Sequence, residues 1–304
     1  KAYQENSTDE TRTILQEDGK VFWTPGDAIS VFYKEGTNGG SKFVAQNAEV
    51  AEITEFKGTL NNFTGGGEDL SNESYFWGIY PYSSDNQCGD NSVTINVASK
   101  QNALEGTFAK NMFPTVARSK GLELAFYNIC GGVKFSVSQP GIRSICFKAN
   151  NNETIAGKVK VEFGADGKPV VSEVLDGSDE VTIYAPNGGS FEVGKYYYIV
   201  LLPTRLTEGF TLLLKNSNSQ EGKIQTSKTI TVKRSTFGVL NRIDSGVTSW
   251  ESVSGSGGGT ETGIYLGIMG FNETIYPYPI TILNENNAGA AIGFISGLTA
   301  KGYT

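Results

Sequence analysis

The chain has 304 residues, of which 38% are hydrophobic and 11% aromatic, and its formal net charge is −7 at pH 7. This length is enough for two or three domains, and an acidic surface disfavours nucleic acid as a partner because phosphates require a basic face. The sequence contains no histidine, the side chain that titrates nearest to neutral pH and the commonest metal ligand. Most hydrolytic mechanisms therefore lose their base.

Alternation of apolar and polar residues predicts half-buried strands along most of the chain. In chain order the predicted strands are residues 21–23, 29–33, 93–97, 122–127, 133–137, 159–163, 181–184, 196–202, 210–214 and 224–232. Asp166-Gly167 lies between two alternating runs and predicts a hairpin over residues 158–175, because glycine tolerates positive φ. No helix is predicted before residue 285. The pattern is typical of antiparallel β-sandwiches.

Changes in composition divide the chain into four parts. A change in residue composition after Gly131-Gly132 predicts a first sandwich over residues 1–138 and a second over residues 139–251. Residues 252–263 are rich in glycine and serine and predict a flexible linker. Residues 264–304 are too few to bury a core alone and predict a fragment of a third domain.

The cysteines and the N-terminus bear on the cellular compartment. Cys88, Cys130 and Cys146 match neither a zinc knuckle nor a redox pair in their spacing. We expect small buried thiols, and a Cys130–Cys146 disulfide stays open as the alternative. The first residues contain neither methionine nor an apolar stretch, and we expect that a signal peptide has been removed from an exported protein.

Six segments carry a resemblance to a known family when they are taken in order. They are TRTILQEDGKVFWTPGDAISVFY (residues 11–33), YFWGIYPYSS (75–84), VTINVASKQ (93–101), LELAFYNICGGVKFSVS (122–138), YYYIVLLP (196–203) and FGVLNRIDSGVTSWE (237–251). This ordered set resembles the fimbrillin family of Bacteroidales. The resemblance implies two tandem transthyretin-like antiparallel β-sandwich domains in an all-β fold.

The resemblance also implies export as a lipoprotein precursor and assembly into surface fibres by strand exchange. A missing strand leaves an apolar groove with unpaired backbone groups. An incoming strand fills the groove and forms hydrogen bonds with those groups. In the family a protease first removes the native strand by cleavage after an arginine near the N-terminus. Arg12 lies in a suitable region for that processing, and a plain surface position is the alternative for this residue.

Residues 264–304 are similar to the middle of a von Willebrand factor A domain. The similarity implies a short C-terminal α/β fragment, in which Gly270-Phe271-Asn272 closes a strand and residues 288–298 form a helix. It places Thr304 at the turn whose threonine binds Mg²⁺ in that family. The companion motif Asp-x-Ser-x-Ser is absent before residue 264, so Thr304 is a weak metal candidate.

Two further groups of residues are candidate binding sites. Asp176 and Asp179 lie in an acidic run with hard oxygen ligands for calcium but without EF-hand spacing, and a solvated turn is the alternative. Trp77 and Tyr80 could stack on sugar rings, and filling the N-terminal core is their alternative. The sequence contains neither a nucleotide-binding motif nor a GxSxG nucleophile elbow, and no cofactor is expected.

The sequence therefore predicts a non-enzymatic structural or adhesive subunit of a bacterial surface fimbria. The module after the linker favours a tip or accessory position. Expected partners are other fimbrial subunits and a host or bacterial surface ligand, with membrane attachment at the outer membrane through a lipid anchor on the precursor. Two alternatives are a surface glycan-binding lipoprotein and a glycosidase that uses two carboxylates.

Overall fold

Strands dominate the computed structural model, which describes residues 2–4, 22–61, 75–89 and 91–252. The first twelve strands are β1 (Ala2–Gln4), β2 (Ala28–Tyr33), β3 (Ser41–Ala45), β4 (Ile53–Thr54), β5 (Phe56–Gly58), β6 (Phe76–Tyr80), β7 (Gln87–Gly89), β8 (Ser92–Val97), β9 (Lys100–Leu104), β10 (Thr107–Phe108), β11 (Thr115–Ser119) and β12 (Leu124–Asn128). The others are β13 (Gly131–Phe135), β14 (Ile142–Ala149), β15 (Ala156–Phe163), β16 (Pro169–Ser178), β17 (Glu180–Tyr184), β18 (Tyr197–Leu201), β19 (Thr204–Leu206), β20 (Phe210–Asn216), β21 (Gln220–Thr226), β22 (Ile230–Val232), β23 (Phe237–Leu240) and β24 (Trp250–Ser252).

Helical structure is confined to two short 3₁₀ helices, Pro186–Gly188 and Ile243–Gly246, within these ranges. Over the same ranges, the structure holds no helix with the length and apolar character needed to cross a bilayer. The predicted all-β class is therefore confirmed for the part of the chain that the structure describes.

The first part of the chain forms an eight-stranded sheet in the order β4-β1-β12-β11-β6-β2-β3-β5. Its two edge strands, β4 and β5, are separated in the chain by Glu55 alone. Since two residues of chain span at most about 7 Å, the two edges of the sheet must lie close together. The sheet therefore curls around its own core.

An aromatic core fills the inside of this curled sheet. The Trp23 ring centroid lies 4.9 Å from that of Phe56, 5.6 Å from that of Tyr80 and 5.2 Å from that of Phe126, each in edge-to-face geometry. Edge-to-face pairs bring the positive edge of one ring to the negative face of another. The remaining members of the core are the buried residues Ile29, Val31, Phe76, Ala117 and Leu124.

The central strand β6 is buried on both faces. Phe76 and Tyr80 face the aromatic core, whereas Trp77 and Ile79, which alternate with them, belong to a larger second core. That second core also contains apolar residues from the later strands, such as Val159 of β15. One hydrophobic core therefore joins the curled sheet to the rest of the described chain.

The other described strands form four smaller sheets. Their orders are β10-β9-β17-β14-β20-β21-β24, β16-β15-β8-β7, β18-β13-β23 and β19-β22. Three of these sheets contain strands from before residue 138, since β8 pairs with β15, β9 pairs with β17 and β13 pairs with β18. The sheets thus extend across the predicted boundary, and a division into two domains at residue 138 stays a prediction.

Most predicted strands coincide with observed ones, and the predicted hairpin is formed by β15 and β16. Its turn is closed by the Gly164 N–H, which donates to the Lys168 carbonyl at 2.9 Å, and Gly167 has φ +72°. The predicted strand over residues 224–232 is instead two strands, because the chain leaves the sheet of β21 and enters that of β22. Residues 253–304, with most of the linker and the α/β fragment, lie outside the described residues.

Candidate functional site: the N-terminal strand and its neighbours

The N-terminal strand β1 is inserted in the first sheet between two strands that are distant in sequence. Its residues 2–4 pair in parallel with residues 124–126 of β12. On its other side, residues 2–3 pair in antiparallel fashion with residues 53–54 of β4. Among the described strands, β4 has no other neighbour in the sheet, so β1 joins this edge strand to the remainder.

The pairing of β1 with β12 is short, and it is parallel, unlike the pairing of β1 with β4. The other described pairings of that sheet are antiparallel, including the five-residue ladder between β11 and β6. Parallel ladders are slightly less stable per residue than antiparallel ones, and three residues is short for a strand. The backbone pairing that retains β1 is therefore limited.

The neighbouring strand β12 is held by its side chains as well as by its backbone. Leu124 and Phe126 are buried in the aromatic core. Phe126 packs directly over Gly78 of β6, where an added Cβ atom would lie 2.7 Å from the Phe126 ring. These contacts do not involve β1, so β12 keeps its anchors in the core whether or not β1 is paired to it.

A buried carboxylate, that of Asp27, is hydrogen-bonded to Tyr80 of the same core. Asp27 is fully buried, and its Oδ2 accepts a hydrogen bond from the Thr24 N–H at 2.8 Å. Its Oδ1 accepts a hydrogen bond from the Tyr80 hydroxyl at 3.4 Å and lies 3.7 Å from Lys110 Nζ. Burial, with the Asp27 charge adding to it, raises the pKa of Tyr80 well above its ordinary value. The phenol therefore stays protonated and can act as a donor.

Neither Trp77 nor Tyr80 is available for stacking on a sugar ring. Their exposed fractions are 2% and 1%, and Tyr80 lies against Trp23 in the aromatic core. The stacking hypothesis for these two residues is corrected accordingly, because β6 is covered on both faces. Their burial agrees with the alternative, that they fill the core.

The remaining candidate site residues do not form a site among the described residues. Asp176 belongs to β16, and Asp179 follows that strand with its carboxylate 3.3 Å from Lys148 Nζ. Over the described ranges, no group of three or more His, Cys, Asp or Glu side chains is arranged to hold a metal ion. Arg12 and Thr304 lie outside these ranges.

All three cysteines are free thiols, so the Cys130–Cys146 disulfide is not formed in this structure. Burial raises the pKa of Cys130 and, more weakly, that of Cys146. Burial and the Glu35 charge raise the pKa of Cys88 to about 12. These thiols therefore stay protonated at neutral pH and are poor nucleophiles.

Two open cavities were not anticipated from the sequence. One has a volume of about 850 Å³ and lies beside Phe32, Glu35 and Cys88. The other has a volume of about 460 Å³ and lies between Arg143 and Tyr184. Their lining residues come from separate strands, and a pattern within one strand gives no signal for such an arrangement.

Comparison with known proteins gives alignments to solved structures at low TM-score and low sequence identity. No family model and no curated protein matches the sequence. A candidate cell adhesion protein from Bacteroides ovatus aligns with 83% of this chain and 96% of its own, at a TM-score of 0.46 and 10% identity. A fimbrial protein from the same species aligns with 79% of this chain and 48% of its own length, at a TM-score of 0.34 and 12% identity. A minor pilin of Streptococcus agalactiae aligns with 79% of this chain and 92% of its own length, at a TM-score of 0.21 and 10% identity.

Proposed function

We propose that this chain is a structural or adhesive subunit of a bacterial surface fimbria, without enzymatic activity, and that it joins other fimbrial subunits by exchange of its N-terminal strand. The observation that carries the proposal is the insertion of β1 between β12 and β4. Because β1 precedes Arg12 in the sequence, cleavage after Arg12 would separate β1 from the rest of the chain.

Release of β1 would create a binding site for another strand. The facing backbone groups of β12 would lose their partners, and unpaired N–H and C=O groups on a sheet edge favour pairing with an incoming strand. The aromatic core beneath β12 would keep the contact between Phe126 and Trp23, whose ring centroids are 5.2 Å apart. A preformed edge of this kind suits donation of a strand from a neighbouring subunit.

The remaining parts of the proposal rest on the resemblance to fimbrillins. They are tandem sandwiches over residues 1–138 and 139–251, a lipoprotein precursor anchored at the outer membrane, and a position on the cell surface. The von Willebrand factor A-like segment after the linker favours a tip or accessory position, since a tip subunit can carry an added adhesive module. Its ligand would be on a host or bacterial surface.

Assembly with a stalk subunit tests the proposal. The full chain and a purified fimbrillin stalk subunit are mixed with an arginine-specific protease, and unboiled samples are resolved by SDS gel electrophoresis. We expect SDS-resistant species that contain both proteins, and we expect Arg12→Ala to prevent their formation. Cleavage at Arg12 without such species would contradict strand exchange. Long ladders formed by this chain alone would contradict the tip position.

A surface glycan-binding lipoprotein is the second candidate function. It requires a site other than Trp77 and Tyr80, since both are buried. The observation that favours it is the cavity beside Arg143, which opens on a solvent-facing sheet surface.

A further inference from the structure

The sheet that contains β14 presents one face to the core and the other to solvent. Ile145, Ile183 and Leu214 on three adjacent strands are fully buried. Because successive side chains of a strand alternate between faces, their sequence neighbours Ser144, Tyr184 and Lys215 point to the outer face. Ser144 of β14 is paired with Tyr184 on one side and with Lys215 on the other. The tyrosine and the lysine therefore flank a serine on the outer face.

A β-bulge brings Arg143 to the same place. Ile142 pairs with Asn216 and Ser144 with Lys215, so Arg143 is an extra residue in the ladder between β14 and β20. Bulges redirect the side chain of the extra residue and recur beside functional sites. The Arg143 side chain is exposed and borders the cavity of about 460 Å³ that also contacts Tyr184, Ser144 and Lys215.

Backbone hydrogen bonds fix the loop on one side of this cavity. The Ala185 N–H donates to the Arg143 carbonyl, and the Phe191 N–H donates to the Ile142 carbonyl, each at 2.8 Å. These bonds tie both ends of the loop to the bulge in β14. Gly188 and Gly189 of this loop line the cavity, so its wall is set before any ligand arrives.

The opposite side is fixed by the turn after β20. Asn216 Oδ1 accepts hydrogen bonds from the Asn218 N–H at 2.9 Å and the Gln220 N–H at 3.0 Å. The Ser217 N–H donates to the Gly141 carbonyl at 2.8 Å, which ties this turn to the start of β14. Both walls are thus held to the same strand, and a preorganised site loses less entropy on binding.

Two side chains at the cavity, those of Arg143 and Tyr184, are available to bind a ligand. Over the described residues, Arg143 has no ion-pair partner, and the side chain of Tyr184, which is 42% exposed, has no hydrogen bond or ring contact. Lys215 Nζ is 3.9 Å from Glu221 Oε2, and both side chains are accessible to water, so this pair contributes little. Two cations in a chain with net charge −7 favour an anionic ligand.

The spacing of the strands limits the shape of that ligand. Tyr184 and Lys215 lie on strands two apart in the sheet, which corresponds to about 10 Å between the strands. A single ring that carries an acid group fits between an aromatic face and a cation at this separation. The volume of about 460 Å³ lies within the ordinary range for small-molecule sites.

We propose that this cavity binds an acidic sugar residue of a surface glycan, with the sugar carboxylate at Arg143 and Lys215 and the sugar ring against Tyr184. Arginine suits this role because its planar guanidinium binds carboxylates in a bidentate manner. The proposal gives the adhesive ligand a chemical class. It does not depend on strand exchange, because the cavity lies in the sheet of β14 and not in that of β1.

Calorimetric titration of the full chain tests the assignment with two pairs of sugars. Trigalacturonic acid and sialyllactose are the acidic probes, and galactotriose and lactose are their neutral counterparts. We expect saturable binding of at least one acidic probe and at least about tenfold weaker binding of its neutral counterpart, because a charge-assisted hydrogen bond is lost. Failure of both acidic probes to bind, or equal binding of the neutral sugars, would overturn the proposal.

Substitutions locate the site of binding. Arg143→Ala and Tyr184→Ala should each weaken the acidic probe at least about tenfold, whereas Arg205→Ala, an exposed arginine of β19, should leave the affinity within twofold. Thermal unfolding should not change for any of the three, since these side chains are exposed. Binding that survives both cavity substitutions, or an oligoglutamate peptide that competes as well as the sugar, would overturn the assignment to an acidic glycan.

Discussion

Arg118 and Phe163 are in contact, with the guanidinium carbon 5.0 Å from the centroid of the ring. Arg118 belongs to β11 of the curled sheet, and Phe163 ends β15 of a different sheet. The same guanidinium lies 4.7 Å from the Tyr75 ring and 5.4 Å from the Trp77 ring. One cation therefore joins rings from two sheets at the edge of their shared core.

Replacement of Arg118 should loosen this contact. Cation–π pairs at exposed sites contribute about 0.5–1 kcal/mol each, so we expect Arg118→Ala to lower the free energy of unfolding by about 1–2 kcal/mol. Arg118→Lys should recover part of the loss, because it keeps the charge but not the planar group. Urea unfolding measures both, with Arg205→Ala as the control. Equal stability of Arg118→Ala and the unmodified chain would contradict this role.

The buried carboxylate of Asp27 should be sensitive to loss of its charge. In Asp27→Asn one of the two carboxylate oxygens is replaced by an amide NH2 group, which leaves either the Thr24 N–H or the Tyr80 hydroxyl without its acceptor. An unsatisfied buried donor costs about 1–3 kcal/mol, and we expect a loss of that size in urea unfolding. In a double-mutant cycle with Tyr80→Phe, the two losses should not be additive. Simple additivity would show that the two side chains are not coupled.

Gly209 and Gly167 form a matched pair of turn glycines, since both have φ +72°. The Cβ atom of an alanine at position 167 would meet no atom within 4 Å. The Cβ atom of an alanine at position 209 would clash with the Thr226 carbonyl oxygen. We expect Gly167→Ala to cost about 1–2 kcal/mol from the left-handed backbone alone. Gly209→Ala should cost clearly more in the same thermal unfolding experiment. Equal losses would mean that the loop at Gly209 relaxes freely.

Glu153 should make stability depend on acidic pH. Hydrogen bonds from Thr207, at 2.6 Å from both its N–H and its hydroxyl, hold the pKa of Glu153 below its usual value. A lowered pKa in the folded state means that the stabilisation is present above the unfolded pKa of about 4.3 and is lost as the pH falls through the folded pKa. We expect Glu153→Gln to be slightly less stable at pH 7, by less than about 1 kcal/mol.

The difference between Glu153→Gln and the unmodified chain should shrink as the pH falls through the folded-state pKa of Glu153, because the carboxyl group is then protonated and, like the glutamine amide, uncharged. Melting temperatures from pH 7 to pH 3 measure this convergence. Glu208→Gln is the control, an exposed glutamate beside the same turn. A difference that stays constant across the pH range would contradict the assignment to the Glu153 carboxylate.

The sequence predicts the strands of this protein better than their partners. Period-two alternation is a local signal, and it identifies β2, β8 and β20 because each has one or both faces in a core. The strand β1 gives no such signal. It is three residues long, and its position depends on pairing with residues more than a hundred positions away.

The candidate sites depended on information that a single strand does not contain. Alternation in β6 indicates that Trp77 and Tyr80 face opposite sides, but the second layer that covers Trp77 is contributed by later strands. The cavity beside Arg143 requires the register of β14 with β17 and β20, together with the bulge that turns Arg143 outward. Register between distant strands is not encoded in local pattern, so these features become visible in the structure.

We propose that β1, which pairs with the backbone of β12, is a replaceable strand. Hydrogen–deuterium exchange of residues 124–126, before and after cleavage of the full chain at Arg12, tests it most directly, with β14 as the internal reference. We predict faster exchange at residues 124–126 after cleavage, recovery of protection when a peptide of residues 1–12 is added, and no change in β14. Cleavage that leaves exchange at residues 124–126 unaltered, or that accelerates exchange equally in β14, would contradict the claim.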